Sequence, residues 1–560
     1  MQSSLKYKKT KDLNCVSMFK LNRSVITKKF YIILYVILFV YLLALIYKLD
    51  YRNFIWDESQ HAGTSIFWLD FVKYYFKHPT LDLEKIKAYS LNYQSHYPFF
   101  SFMLQHPPIQ RIVGFISFVF FGINEVSARL PSVFFSILGL YFTFLLARSI
   151  TDNKWIGLLS TVLLGLSPMY YEFSRLAMLD IPFTAMTVIT MYFFYRYLKH
   201  HKKRDSVLFG VFLGLSFLTK YPAILIVFSL ALFLLFTKNY TLLRDKNLYK
   251  SLLIAAIVGL PYLIFINVFP SIFNIPYIFS KVYRSYFTIN VVGIELLTFF
   301  YFKQLSFLIG LIAILGILYS LYKKGKSNIF LLSWILPLYI IFPFFVIYTD
   351  AIHRYTMPAM PALMILTSIF LYEITNRPKI KKYQPIVILT ILLFSFYLCL
   401  EYKSKVEIRY PMDETAAWVL NNTPKNGGII YDDLGQQFYF MKHDRDLSIG
   451  VMGVRFPNIS ISQHFESLLH DEYSNPLYRE AGIKNPDFYY FILKEKPIGE
   501  KHILGEFYGK NIYNFDNFNQ NFYDDITEYL DQNKNVFELT EVFYDDESRH
   551  KILVYKINPV

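Results

Sequence analysis

The chain has 560 residues, of which 54% are hydrophobic and 19% aromatic, and its formal net charge is +15. Only 18% of the residues are charged, which excludes an ordinary soluble protein, and repeated apolar runs of about 20 residues indicate a polytopic membrane protein. Residues 401–560 hold 26 acidic against 17 basic side chains, which leaves 40 basic against 16 acidic for residues 1–400. Basic loops orient membrane helices, so this excess does not indicate binding to nucleic acid.

Residues 1–30 form a basic tail, with eight Lys or Arg side chains and a single acidic one. The first apolar run, from Tyr31 to Tyr47, follows at once, and no small-residue cleavage site comes after it. This pattern is typical of an uncleaved signal anchor with a cytoplasmic N-terminus. The next segment, about 49–130, is therefore predicted to be the first external loop.

Ten further apolar runs lie between about 131 and 400, and clusters of Lys and Arg separate alternate pairs of them. With about eleven spans every cluster falls in the cytoplasm, so residues 31–400 are predicted to form an α-helical transmembrane domain. The run 109–122 is short and contains Arg111. Counting it as a span would place every later basic cluster on the external side of the membrane. We therefore predict that it is a re-entrant or interfacial helix.

Residues 401–560 are predicted to form a soluble α/β domain on the extracytoplasmic side. The segment 413–433 has the pattern of an amphipathic helix, a turn and a short strand, and 487–493 and 551–557 have the pattern of strands. Cys15 and Cys399 fall on opposite sides of the membrane, so no disulfide is expected. This domain shows no catalytic motif, and we predict that it supports the choice of acceptor rather than the chemistry.

Ionisable side chains are concentrated at the external ends of the predicted spans. Charge at membrane depth is costly, so it is usually functional. Carboxylates from two loops beside several cations suggest a general base that deprotonates an acceptor hydroxyl, next to a phosphate neutralised by Arg or Lys. The side chains concerned are Asp57, Glu58, Arg175, Asp180, Lys220, Asp350, His353 and Arg354.

Each of these side chains also has a structural explanation. Asp57 and Glu58 suit a solvated loop, and Asp180 suits the N-terminus of a helix, where negative charge is favoured. The cations suit interfacial anchors whose charged ends reach water. Asp57 and His61 are four residues apart and could also form part of a metal site. Their joint occurrence on one side of the membrane favours the catalytic interpretation.

An ordered series of motifs across residues 30–380 resembles the GT-C superfamily of polytopic glycosyltransferases that use polyprenyl-phosphate sugars. The similarity is greatest to the branch with dolichyl-phosphate-mannose protein mannosyltransferases and the bacterial aminoarabinose lipid A transferase. The segments that carry it are WDESQHA (56–62), 105–150 beginning QHPP, LSPMYYEFSRLAMLDIPF (166–183), GLSFLTKYPAILI (214–226) and HRYTMPAMPAL (353–363).

The resemblance implies a GT-C fold and assigns roles to particular residues. It implies that Asp57 and Glu58 form the catalytic acidic motif of the first external loop and that Asp180 is a second acid. A possible divalent metal ion stays open, because some relatives have an acidic metal-binding residue where this chain has Gln105. The residues it implies for the donor phosphate are His106, Arg354 and Tyr355, beside which Arg175, Lys220 and His353 are our further candidates.

The predicted function is transfer of a sugar from a polyprenyl-phosphate donor to a protein, lipid or glycan acceptor on the extracytoplasmic face. Asp57 is the predicted base, with Glu58 and Asp180 positioning the acceptor or a metal ion, and attack opposite the phosphate inverts the anomeric carbon. One alternative is a transporter or flippase of lipid-linked saccharides, which should place polar groups near the midplane of the membrane. Another is a membrane-anchored sensor or adhesin, which needs no such array of spans.

Overall fold

Apolar helices dominate the computed structural model of the chain, and a smaller sheet follows them. The structure describes residues 30–79, 82–97, 106–268, 301, 305–341, 352–404, 409–431, 434–444, 450–453, 465, 487–494, 525–545 and 550–558.

The helices up to residue 404 follow the apolar runs of the sequence. Every run predicted as a span contains a helix in its described part. The bounds are α1 (Phe30–Ile46), α2 (Trp56–Lys77), α3 (Leu83–His96), α4 (Ile109–Phe121), α5 (Glu125–Thr151), α6 (Lys154–Gly165), α7 (Pro168–Phe173), α8 (Asp180–His200), α9 (Lys203–Phe217), α10 (Ile224–Thr237), α11 (Lys246–Val268), α12 (Phe307–Lys323), α13 (Lys326–Leu336), α14 (Ile352–Tyr355), α15 (Met360–Thr375) and α16 (Gln384–Ser404).

The helices of the described segments differ in length, and four are long and apolar enough to cross a membrane. These four helical segments are Glu125–Thr151, Lys246–Ile264, Met357–Thr375 and Lys381–Leu400. Five shorter apolar helices accompany them, namely Phe30–Ile46, Ile109–Phe121, Lys154–Gly165, Tyr221–Thr237 and Phe307–Lys323. The predicted total of about eleven spans stays a prediction.

Helix α8 lies at the centre of the helical domain and is buried along most of its length, between α5 and α9. Outer helices such as α16 instead expose apolar side chains, including Ile386, Leu389 and Leu393. Large exposed apolar surfaces of this kind mark contact with lipid or protein rather than water. Small residues bring neighbouring helices together: a Cβ at Gly210 of α9 would stand 2.4 Å from the Ser251 carbonyl oxygen of α11.

Helix α4 has two chemically different faces. Ile112, Val119 and Phe120 on one face are at least half exposed, whereas Arg111 and Ser117 on the other are buried. The buried face packs on α2 and α5. An exposed apolar stripe on a short helix fits an interfacial position, so the expectation that 109–122 does not cross the membrane stays our interpretation.

The described region after residue 404 contains a mixed sheet and helices, and the predicted extracytoplasmic α/β domain stays a prediction. The bounds are α17 (Met412–Asn422), β1 (Gly428–Tyr431), α18 (Gln437–His443), β2 (Gly450–Gly453), β3 (Phe488–Lys494), β4 (Phe537–Tyr544) and β5 (Lys551–Ile557). The strand order is β2-β1-β3-β5-β4, with β1 parallel to both β2 and β3, and β5 antiparallel to both β3 and β4. The boundary of this domain at residue 401 stays a prediction.

A buried apolar cluster joins this sheet region to the segment that follows α1. Phe54 and Phe67 of that segment belong to the same cluster as Tyr431 and Phe438. The rings of Phe54 and Phe438 are in edge contact, with centroids 4.2 Å apart. Helix α2 therefore lies between the helical domain and the sheet region.

Candidate active site

Asp57 and Glu58 lie in the first turn of α2, so the acidic pair is helical rather than part of a loop. Negative charge is stabilised at this end of a helix by the partial positive charge of the free N–H groups. Successive residues of an α-helix point about 100° apart. The two carboxylates therefore face different surroundings.

The Asp57 carboxylate forms an ion pair with Arg354, which lies in α14 nearly 300 residues later in the chain. The Asp57 side chain keeps 32% of its surface exposed and that of Arg354 keeps 22%, so both are accessible to a bound molecule. Burial alone would raise the pKa of Asp57, but the Arg354 guanidinium outweighs it and lowers the pKa to about 2. Asp57 is therefore ionised at neutral pH.

Asp180 begins α8 and forms a second ion pair with Lys220, with Nζ 2.6 Å from Oδ1. The ammonium also stands 4.2 Å from the centre of the Tyr355 ring, a cation–π contact. Burial lowers the pKa of Lys220, and the Asp180 carboxylate opposes that shift. Arg354 and Asp57 act on the pKa of Lys220 as well, so the two ion pairs share one electrostatic site, called here the charge cluster: Asp57, Asp180, Lys220 and Arg354.

A buried histidine, His61, and a half-buried one, His106, lie beside the charge cluster. The rings of His61 and His106 have centroids 5.5 Å apart, and His61 is only 6% exposed. Burial lowers the pKa of His61 to about 4 and that of His106 to about 3, and the nearby cations Lys220 and Arg111 add to both shifts. Both imidazoles are therefore neutral at pH 7.

The neutral histidines make the folded state sensitive to acid. Unfolded histidines take up protons near pH 6.5, whereas His61 and His106 do so only near pH 4 and 3. Their contribution to stability is thus complete above pH 6.5 and is lost as the pH falls toward 4, on the order of 2–3 kcal/mol for each. We expect the Tm of the purified protein to fall between pH 6.5 and 4, and to fall less in a His61→Asn/His106→Asn variant.

The matched control is His78→Asn, because His78 is exposed to solvent in the folded state as well as in the unfolded state. This variant should keep the wild-type dependence of Tm on pH. An equally steep fall in the double variant would contradict the assignment of neutral imidazoles.

Arg111 is a third cation of the site, which the sequence indicated only as an obstacle to a membrane span. Its Nη2 donates to the Tyr262 hydroxyl at 2.6 Å, and that hydroxyl donates to the His106 carbonyl at 2.9 Å. Arg111 also acts on the pKa of both histidines. The sequence did contain a signal for this role. Arg111 lies on the side of α4 opposite the apolar stripe, and a cation on that side faces protein rather than lipid.

Glu58 faces away from the charge cluster and binds Arg129 of α5. The pair is doubly hydrogen bonded, at 3.0 Å from Nε to Oε1 and 3.2 Å from Nη2 to Oε2, and both side chains are at most 1% exposed. Glu58 also accepts hydrogen bonds from the N–H groups of Ala177 at 2.8 Å and Ile55 at 3.3 Å. These contacts favour a structural role for Glu58, in place of the positioning of the acceptor that the sequence suggested.

The remaining predicted donor-binding residues lie in different places. The Arg175 guanidinium donates to the Lys48 carbonyl at 2.8 Å and to the Tyr171 hydroxyl at 3.2 Å, beyond the end of α1. His353 lies in α14, but its side chain is outside the described part, as are Gln105 and Asp350. Among the residues that the structure describes, no group of three His, Cys, Asp or Glu side chains could hold a metal ion.

Solved structures share the overall fold of this chain. The solved structure of ArnT from Cupriavidus metallidurans bound to undecaprenyl phosphate has a TM-score of 0.56 at 13% identity, covering 94% of this chain and 97% of ArnT. The apo structure of ArnT also has a TM-score of 0.56, at 14% identity, over 94% of this chain and 98% of ArnT. The chain is a multi-pass membrane protein with the GT-C fold, which confirms the predicted resemblance.

Sequence comparison finds similarity over part of the chain. Residues 105–265 match the family model of dolichyl-phosphate-mannose-protein mannosyltransferases. An uncharacterized protein of Aquifex aeolicus (strain VF5) is 28% identical over 301 residues, or 52% of this chain and 58% of that relative. A second from the same organism is 24% identical over 363 residues, or 63% of this chain and 76% of the relative. The chain thus spans less than two thirds of the first of these relatives.

Proposed function

We propose that this protein is an integral-membrane glycosyltransferase that transfers a sugar from a polyprenyl-phosphate donor to an acceptor hydroxyl. The observation that carries the proposal is the charge cluster, in which an accessible carboxylate and an accessible guanidinium form an ion pair beside a second pair. Cations from separate elements suit a phosphate, and an accessible carboxylate suits a general base. The family model and the ArnT complex support a donor of the polyprenyl-phosphate class.

Because Asp57 and Arg354 form an ion pair, binding of the donor should also change the basicity of Asp57. A donor phosphate competes with Asp57 for the guanidinium, because Arg binds phosphate oxygens strongly. When Arg354 turns to the phosphate, its interaction with Asp57 weakens, and this interaction is what lowers the pKa of Asp57. The carboxylate then becomes a stronger base when the donor is in place, which couples binding to catalysis.

The proposed reaction proceeds in one displacement. Asp57 takes the proton of the acceptor hydroxyl as the acceptor oxygen bonds to the anomeric carbon, and the bond from that carbon to the phosphate oxygen breaks. Arg354, Lys220 and Arg111 stabilise the charge on the leaving phosphate, so no protonated acid is needed there. Attack from the side opposite the phosphate inverts the anomeric configuration.

Asp180 acts in this proposal through Lys220. A buried ammonium without a partner would tend to lose its proton, because burial lowers its pKa. The carboxylate at 2.6 Å keeps it charged and directed at the site. Tyr355 supports the same ammonium through its ring, which replaces the direct phosphate contact suggested by the sequence.

The charge cluster lies at one end of the membrane helices, and we assign that end to the extracytoplasmic side. The basic clusters of the sequence lie between alternate pairs of spans and define the cytoplasmic side. Membrane lipids would surround the apolar helices, and the acceptor would be a protein, lipid or glycan. Labelling of single cysteines at Glu125 and at Lys202 should show opposite sides, outside and inside respectively.

The decisive experiment uses the full-length protein in nanodiscs with a panel of polyprenyl-phosphate sugars. We expect one donor to release polyprenyl phosphate and to give a glycoside of inverted configuration by NMR. Nucleotide sugars are the matched control and should not react, because they lack a lipid tail. Movement of intact donor across sealed vesicles without cleavage would instead support the transporter alternative.

A further inference from the structure

The first two turns of α2 contact three separate parts of the protein. Asp57 and His61, one turn apart, face the charge cluster. Glu58 faces α5 through its buried ion pair. Ser59 and Gln60 face α18 of the sheet region. The rotation of this helix about its axis is therefore fixed by contacts on several sides, and the sheet region supplies one of them.

Two buried hydrogen bonds connect α2 with α18. The backbone N–H of Phe438 donates to Ser59 Oγ at 2.9 Å, and Gln60 Nε2 donates to Gln437 Oε1 at 3.2 Å. All four residues are at most 1% exposed. Buried polar groups are costly without partners, so separating the helices would leave both bonds unmade.

Gly63 allows α18 to approach α2 closely at the next turn. A Cβ at Gly63 would stand 2.8 Å from Met441 Sδ, closer than real Cβ atoms come to their neighbours. A methyl group here can be accommodated by movement of the flexible Met441 side chain, whereas a larger side chain must displace Met441 and press on the two helices. Glycine in a helix interior is unfavourable, so its presence here fits a need for this close contact.

Helix α18 is in turn attached to the rest of the sheet region. The Tyr431 hydroxyl of β1 donates to Gln437 Oε1 at 3.4 Å. At the other end of α18, Lys442 and His443 bind the two oxygens of Asp413 in α17, at 2.7 and 2.8 Å. A displacement of the sheet region is therefore transmitted to α18 and from α18 to α2.

We infer that α18 is a positioning element for the catalytic base: it sets the rotation of α2 and with it the separation of Asp57 from Arg354 and from the acceptor. The inference rests on the proposed role of Asp57. Close-packed interiors do not absorb a shift at one contact without moving another, and a misplacement of about 1 Å can lower a rate 100-fold. The sheet region thus has a part in the chemistry, beyond the acceptor choice expected from the sequence.

The test introduces a steric clash at the contact between Gly63 and Met441 and then removes it. Gly63→Ala and the larger Gly63→Val push against Met441, and Met441→Ala in the same chain makes room again. We expect kcat to fall little in Gly63→Ala and about 10- to 100-fold in Gly63→Val, with the donor Kd and the Tm close to wild type. We expect kcat to recover within about threefold in Gly63→Val/Met441→Ala. The matched control is Gly157→Ala in α6, whose Cβ meets the Phe144 ring at 2.9 Å far along the chain from α2 and should leave kcat unchanged.

Three results would overturn the inference. One is wild-type kcat in Gly63→Val; another is a loss of kcat that Met441→Ala does not relieve. The third is a parallel loss of Tm and donor affinity, which would mean that the contact only holds the fold together. Failure of the proposed function would look different, because the wild-type protein itself would then form no product from any donor.

Discussion

Replacement of Asp57 by Asn is expected to lower turnover about 10²- to 10⁴-fold, the usual contribution of a positioned general base. The amide keeps the size of the side chain but cannot accept the proton of the acceptor. Donor binding should be unchanged or tighter, because Arg354 no longer has a carboxylate to compete with the donor phosphate. Turnover measured by product formation and donor Kd measured by titration in nanodiscs check the two halves of this expectation.

Arg354→Ala is the matched variant on the other side of the same ion pair. It should weaken donor binding, because it removes a cation from the phosphate site. The donor Kd should rise in Arg354→Ala but stay the same or fall in Asp57→Asn. This difference distinguishes the residue that binds phosphate from the general base. Near wild-type turnover of Asp57→Asn, or a product that keeps the donor's anomeric configuration, would show that the mechanism is wrong.

The second large effect is expected on stability, at the buried pair between Glu58 and Arg129. Removing one partner of a buried ion pair leaves an uncompensated charge and costs about 3–5 kcal/mol. Glu58→Gln and Arg129→Met should therefore each lower the Tm strongly. Arg129 also donates to the Leu49 carbonyl at 2.7 Å, so Arg129→Met additionally leaves that carbonyl unsatisfied.

Combining the two changes shows whether the pair acts as a unit. In the Glu58→Gln/Arg129→Met double variant we expect a loss smaller than the sum of the single losses, because neither charge is then left alone. Lys199→Met is the exposed control: its partner Asp152 is 81% exposed, and such pairs contribute about 0–1 kcal/mol. Additive losses, or single variants with the Tm of the wild type, would contradict a structural role for Glu58.

Much of the fold could be predicted from hydrophobic pattern alone. Long apolar runs can only become helices in a membrane, since every backbone polar group needs an internal partner there. Strands β3 and β5 were equally visible as short runs of aromatic and β-branched residues. Pairing across the chain has no such signal: nothing local connects Gln60 with Gln437, which lie 377 positions apart.

The candidate site shows the same division. Predicted topology placed Asp57, Asp180, Lys220 and Arg354 on one side of the membrane, and the structure brings them into two neighbouring ion pairs. The sequence treated Asp57 and Glu58 as one motif, although a helical turn sends adjacent side chains in different directions. Separating their roles required knowledge of Arg129.

The neutral state of the two histidines has a consequence for the departure of the product. Asp57, Asp180, Arg111, Lys220 and Arg354 together carry a formal charge of +1, which a phosphodiester donor, with its single negative charge, brings to zero. Cleavage leaves a phosphate monoester of about −1.5 to −2, balanced only while Asp57 retains the proton taken from the acceptor. Once that proton escapes to water, the formal charge of these side chains falls from +2 to +1, and the spent lipid carrier is held less strongly. Charged imidazoles would add two positive charges to the site and would slow the release of the carrier.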